Sequence, residues 1–180
     1  MCLDVASVLV DISQLLTESF SRIGGVLERA VGGLSVDELT YRPDPAANTI
    51  AWLAWHAGRG QDAQIADVAG VEQVWTAQGW ADRFDLPFDR AASGYGQSAD
   101  EVGQVRAPGE LLLGYYKAVA AQTAAYLERL TETDLDVVVD ERWDPPVTLG
   151  VRLVSVVGDS LQHAGQASYV RGLLSRRQSQ

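Results

Sequence analysis

The sequence predicts an all-α fold, a four-helix bundle with a long crossover connection. Three observations carry that prediction. Apolar residues recur at spacings of three and four over four long stretches, as in amphipathic helices, while alternating strand patterns are scarce. The stretches are joined by connections of very unequal length, so at least one connection must cross the bundle. With 180 residues, 47% apolar and 21% charged, the chain is long enough to bury one core, and residues 1–180 read as one domain.

The first helix is predicted from about Leu3 to Val31. Val5, Val8, Leu9, Ile12, Leu15, Leu16, Ile23, Val26 and Leu27 share its apolar face, and Gly32-Gly33 stops it. Ser35-Val-Asp-Glu38 is a capping-box sequence for one short turn before Pro43 and Pro45 break the chain. The second helix begins at Asn48 as N-cap and runs to about Ala69, with Gly70 as its stop. Residues 71–107 form an irregular insert in which Trp75, Trp80, Phe84 and Phe88 alternate with the breakers Gly79, Pro87, Gly94 and Gly96. Within it Ser98-Ala-Asp-Glu101 is a second capping box, and a segment of this kind reads as a lid or binding loop. Pro108 suits the first position of a third helix, with Glu110 in its first turn and a face of Leu111, Leu112, Tyr115, Val119, Gln122, Tyr126 and Leu130. Val137–Val139 reads as an extended piece and Trp143-Asp-Pro-Pro146 as a break. The fourth helix starts near Thr148 and ends near Leu174.

The charge balance narrows the function. A formal net charge of −10 repels phosphate backbones and anionic lipid, so neither nucleic acid nor a membrane is expected as partner. Arg171, Arg176 and Arg177 read as a solvated helix end. No apolar run reaches the ~18 residues of a membrane span. Asp4 and Asp11 interrupt what would be the core of a signal peptide. The lone Cys2 cannot form an internal disulfide and reads as an incidental reduced thiol, which fits a cytoplasmic location.

Both histidines of the chain fall on helical stretches. His163 closes Asp159-Ser-Leu-Gln-His163, placing a carboxylate and an imidazole one turn apart on one helix face. Its stripe reads Val156, Asp159, His163, Gln166, Val170 and Leu173, with Gly158 and Gly165 allowing another helix close. His56 lies about a hundred residues upstream, in the stripe Thr49, Trp52, Leu53, His56, Gly60 and Ala63. If the two helices face each other, His56, Asp159 and His163 supply three ligands and leave a position open, as in catalytic divalent-metal sites. The bland alternatives are a structural Asp159–His163 pair and a core histidine satisfied by a backbone carbonyl. Arg59, one turn beyond His56, either aims a cation into the same cavity for a carboxylate-bearing ligand or pairs with Asp62 or Asp67. Trp52 and Trp55 serve as core or as a stacking platform, and Trp75, Trp80 and Phe84 as a cavity cap or a hydrophobic plug. No nucleophile elbow, P-loop or dinucleotide fingerprint is present. Ser160 points away from the Asp159–His163 face, which argues against a triad.

The stretches Asn48-Thr-Ile-Ala-Trp-Leu-Ala-Trp-His56 and Gly158-Asp-Ser-Leu-Gln-His-Ala-Gly-Gln-Ala-Ser-Tyr-Val-Arg171 resemble the DinB-like metalloenzyme superfamily, which includes mycothiol-dependent maleylpyruvate isomerases and related thiol transferases. The resemblance implies a DinB-like bundle in which His56, Asp159 and His163 hold a divalent ion, zinc first and nickel or another metal second. Asp159 is shorter than the histidine or glutamate commoner there, which implies an ion seated nearer the last helix, or one held weakly or through water. The isomerases carry a further C-terminal domain without counterpart in these 180 residues, so thiol transfer is expected rather than isomerisation.

The implied reaction activates a low-molecular-weight thiol, mycothiol- or bacillithiol-like, for attack on a small electrophile. The nucleophile is then a coordinated water or thiolate rather than a protein side chain. Trp52, Arg59 and Gln166 are the expected substrate-binding groups, Asp62 the one visible candidate for acid–base work, and a homodimer the expected assembly. The rival reading is a non-catalytic metal- or ligand-binding dimeric bundle with a stress-response or sensor role.

Overall fold

Asp11 opens the first helix of the structure, a computed structural model that describes residues 11–178. Its backbone is extended and its carboxylate accepts the Gln14 N–H at 2.7 Å, so α1 (Ile12–Val31) begins there. Among the described residues the first helix thus starts at Ile12. The earlier part of that predicted helix, and Cys2, lie outside the described residues.

Three further long helices follow: α3 (Ile50–Ala69), α7 (Gly109–Leu127) and α8 (Leu149–Gln178). Each packs on two neighbours, so that the four form a ring in the order α1, α8, α3, α7. The chain thus crosses a diagonal twice, from α1 to α3 and from α7 to α8. The predicted partners α3 and α8 lie side by side. The expected all-α bundle with long crossovers is what the structure shows.

Local signals set most boundaries. The capping boxes at Ser35 and Ser98 are both formed and start the short helices α2 (Val36–Leu39) and α6 (Ala99–Gln104). Thr49, not the adjacent Asn48, caps α3 by accepting the Trp52 N–H at 3.0 Å. Gly70 ends that helix in the left-handed conformation, at φ 65°. Pro108 is the N-cap of α7 and stands one position outside it. Residues 71–107 include α4 (Val74–Ala77) and α5 (Trp80–Phe84) beside α6. After α7, a 3₁₀ turn (Glu132–Asp136) leads into β1 (Val138–Asp140), which pairs antiparallel with β2 (Val147–Thr148) around the Trp143–Pro146 break. Asp140 of this hairpin receives Arg142 and Arg152, and the Arg142 hydrogen bonds hold its carboxyl well below the usual carboxylate range.

Two predicted faces are corrected by the packing. The buried face of α7 is Leu112, Tyr115, Tyr116, Val119, Thr123 and Leu127, because the helix is covered from both α1 and α3. Gln122 and Tyr126 sit at its edge. The buried stripe of α8 is Leu149, Leu153, Val156, Ser160, Ala164, Ala167, Val170 and Leu174. Asp159, His163 and Gln166 flank this stripe instead of lying within it. Nor do Gly158 and Gly165 lie against a neighbouring helix, since a Cβ on either would meet no other part of the described residues within 4 Å. The close approach is elsewhere: a Cβ on Gly58 of α3 would stand 2.9 Å from the Tyr115 ring of α7.

Arg171 also departs from its expected role as part of a solvated end. Its Nη1 donates to the carbonyls of Ala30 at 3.1 Å and Gly32 at 2.7 Å, satisfying the open C-terminus of α1. We expect Arg171→Met to cost about 1.5–3 kcal/mol, a charged-donor loss, and to lower the melting temperature by roughly 3–10 °C. Thermal unfolding followed by circular dichroism checks this, and metal affinity should be unchanged.

Candidate metal centre

One row of side chains on α3 holds down the segment that precedes α6. Trp52 Nε1 donates to Gln97 Oε1 at 2.7 Å, His56 Nδ1 to the Ser93 carbonyl at 2.5 Å, and Arg59 Nε to the Ala92 carbonyl at 3.1 Å. Helical spacing brings these three residues onto one side of α3. Trp75 Nε1 adds a fourth bond, to the Arg90 carbonyl at 3.0 Å. Residues 90–97 therefore form a strap across the helix. Gly94 seats it: its φ is 97°, and a Cβ there would lie 2.6 Å from His56 Nδ1.

The strap fixes the chemistry of His56. A carbonyl only accepts, so Nδ1 carries the hydrogen and Nε2 keeps its lone pair. Trp52 stacks on the same ring, with centroids 4.5 Å apart and planes 18° from parallel. Burial holds the imidazole below its ordinary pKa and nearby His163 adds to this, against the Ser93 hydrogen bond and Asp159. A neutral ring with a free Nε2 is the form that binds a metal.

The other half of the site comes from α8. His163 Nδ1 donates to Gln166 Oε1 at 3.0 Å, which likewise leaves its Nε2 free. That Nε2 stands 3.4 Å from Asp159 Oδ1. The rings of His56 and His163 meet edge-on, with centroids 4.7 Å apart. One ligand atom from each of His56, Asp159 and His163 lies within 4.8 Å of the others. A cavity of about 550 Å³ opens beside them, lined among others by Gly60, Gln64, Ser93, Tyr95 and Gln162. Asp159 is about half exposed, so its desolvation cost is modest and solvent reaches the cluster.

Of the residues expected to bind substrate, Gln166 contacts His163 as described. Trp52 is buried and touches both histidines, at 4.5 and 6.1 Å between ring centroids, so it serves as their wall and not as a platform for a ligand. Arg59 is corrected more fully. It is wholly buried, and besides Ala92 its guanidinium meets Gln73 Oε1 at 2.9 Å, the Tyr115 hydroxyl at 3.3 Å and Asp62 at 3.6 Å. It therefore anchors the strap and does not reach into the cavity. The expected pairing with Asp62 is present, but buried rather than at the surface.

Asp62 is likewise unavailable for acid–base work. Its oxygens accept from the Val74 and Trp75 N–H groups of α4, at 2.9 and 2.8 Å, and from the Tyr115 hydroxyl at 2.8 Å. Trp75, Trp80 and Phe84 pack on Tyr115 as a plug under the insert and do not cap the cavity.

Sequence reasoning missed Ser93, Gly94, Tyr95 and Gln64. The Ser-Gly-Tyr-Gly96 run was visible as a chain breaker. Its contact with His56 was not, because a backbone carbonyl acceptor leaves no mark on residue type.

The fold and cluster together define a class: a DinB-like helical bundle with two histidines and a carboxylate gathered between its second and last long helices. The mycothiol-S-transferase family model matches residues 15–175, and the chain belongs to that family. Among solved structures it is similar to a conserved protein from Enterococcus faecalis, with 33% identity over 92% of this chain and 98% of that one and a TM-score of 0.86. No curated protein matches it.

Two outcomes are expected from the strap. Gly94→Ala should weaken zinc affinity by roughly 10–100-fold, the range for disturbing a ligand's support, while helicity is retained. Arg59→Gln leaves Asp62 buried without its cation and should destabilise the protein by about 3–5 kcal/mol. Chelator competition measures the first and denaturant unfolding the second.

Proposed function

We propose that the protein is a divalent-metal-dependent mycothiol S-transferase, with zinc as the ion and His56, Asp159 and His163 as its ligands. The observation that carries this reading is the convergence of the three side chains at a cavity wall, both imidazoles having Nδ1 tied and Nε2 free. Two nitrogens, one carboxylate oxygen and an open side are the donor set of catalytic zinc. Bound there, the ion would lower the pKa of a thiol entering the open position, so that sulfur is nucleophilic near neutral pH.

The chain's own residues then have limited tasks. Trp52 and the strap hold His56, and Gln166 holds His163. In the transfer the S–H bond breaks and a carbon–sulfur bond forms at the acceptor, whose leaving group departs with the bonding pair. With Asp62 engaged in α4, no side chain among the described residues stands ready to take the proton, which passes to water through the open cleft. The reaction therefore suits acceptors whose leaving group needs no protonation.

Purified protein is expected to carry ~1 divalent ion per chain, as a single three-ligand site requires. The loaded protein should conjugate mycothiol to a chromogenic electrophile and lose that activity with a chelator. His163→Ala should empty the site, and His56→Ala should weaken it by several kcal/mol. Stoichiometric metal retained in both variants would refute the ligand assignment. Metal without transfer would leave a metal-binding bundle and refute the enzyme.

A further inference from the structure

The strap is held to α3 through Ala92, Ser93 and Gln97 and to α4 and α5 through Arg90, but one of its residues is left out of these contacts. Tyr95, between Gly94 at φ 97° and Gly96 at φ 73°, is 94% exposed and has no hydrogen bond or ring contact among the described residues. Its position lines the same cavity as His56 and Asp159. An aromatic ring left bare beside a polar cavity is an unusual surface feature, because neighbouring side chains generally cover part of such a ring.

The rest of the cavity wall states what such a ring would meet. Gln64, Ser93, Ser155 and Gln162 line it, and no lysine or arginine does. The side chains of Gln64, Ser93 and Ser155 make no hydrogen bond to the described residues. Gln162 spends its Nε2 on the Gly158 carbonyl at 3.1 Å and keeps its Oε1 free. The wall thus offers neutral amide and hydroxyl groups. The Asp159 carboxylate and one thiolate would balance the charge of a divalent ion, leaving no cation for a carboxylate elsewhere on the ligand.

We propose that Tyr95 is a specificity-determining residue, its ring covering the apolar face of an uncharged, hydroxyl-bearing ring of the thiol while Gln64 and Gln162 hydrogen-bond its hydroxyls. This rests on the thiol-transferase reading above. It selects a thiol whose glucosamine bears a second uncharged polyol ring, such as mycothiol, over one whose glucosamine bears carboxylates instead, such as bacillithiol.

The test is calorimetric binding of S-methyl mycothiol, whose blocked sulfur isolates recognition of the sugar from chemistry at sulfur. The proteins compared are wild type, Tyr95→Ala and Tyr95→Phe, with metal content measured in each. Truncation to alanine should weaken binding by about tenfold, phenylalanine should restore most of it, and metal content should not change. In steady-state transfer the alanine variant should raise KM for mycothiol and keep kcat. S-methyl bacillithiol should bind wild type about tenfold more weakly than the mycothiol derivative. Equal binding by wild type and Tyr95→Ala, or no preference between the two thiols, would overturn the inference. A wild type that transfers mycothiol with a KM indifferent to Tyr95 sinks this inference alone. Tyr95-dependent binding without transfer sinks the transferase reading alone. A wild type that does neither sinks both.

Discussion

The hydrogen bond from His56 Nδ1 to the Ser93 carbonyl is the constraint on which the site depends. It decides which nitrogen of the ring is free, and hence whether α3 offers a ligand to α8 at all. The bond exists because a row of donors on α3 holds a strap of irregular chain, and because Gly94 lets that strap lie against the ring without a Cβ in between. Arg59 and Asp62 extend the same support inward. Their buried pairing ties the strap to α4 and, through Tyr115, to α7. The insert between α3 and α7 is thus the outer wall of the candidate centre, and its short helices serve to aim one imidazole.

The two sides of the cluster are built differently. On α3 the ligand is half-buried, stacked and hydrogen-bonded. On α8 the histidine is held by a residue of its own helix, and the carboxylate is half open to water. A tightly held imidazole facing a solvent-exposed carboxylate suits a site that must admit and release a ligand. Openness also explains how a chain with no spare general base at the cluster can lose a proton: solvent is already there.

Much of the fold was legible in residue order. Two capping boxes, Gly70 and the presence of four long helices correspond to observed features, and the i, i+4 spacing of Asp159 and His163 places them on one side of α8. The core stripe of α8 was misjudged for a physical reason. Its buried side uses small residues, Ser160, Ala164 and Ala167, where the bundle is tight, while Val154, Leu161 and Tyr169 are exposed. The predicted stripe shares Val156 and Val170 with the buried one but passes over these small positions and drifts onto Asp159, His163 and Gln166 at their edge. Arg59 misled in the same way: a cation one turn from a histidine suggests a ligand-binding charge until the strap and Asp62 cover it. Side-chain hydrogen bonds to loop carbonyls can fall on any residue type along the loop, so the sequence carries no sign of the support of His56.

With only two histidines in the chain, one spectrum addresses the centre directly. A long-range proton–nitrogen correlation of the imidazoles, recorded on metal-free protein and after one equivalent of zinc, reports the tautomer of each ring and the atom that binds. The account requires both rings to begin with hydrogen on Nδ1 and both Nε2 resonances to shift together on zinc addition. A shift at either Nδ1, or at one histidine alone, would contradict it.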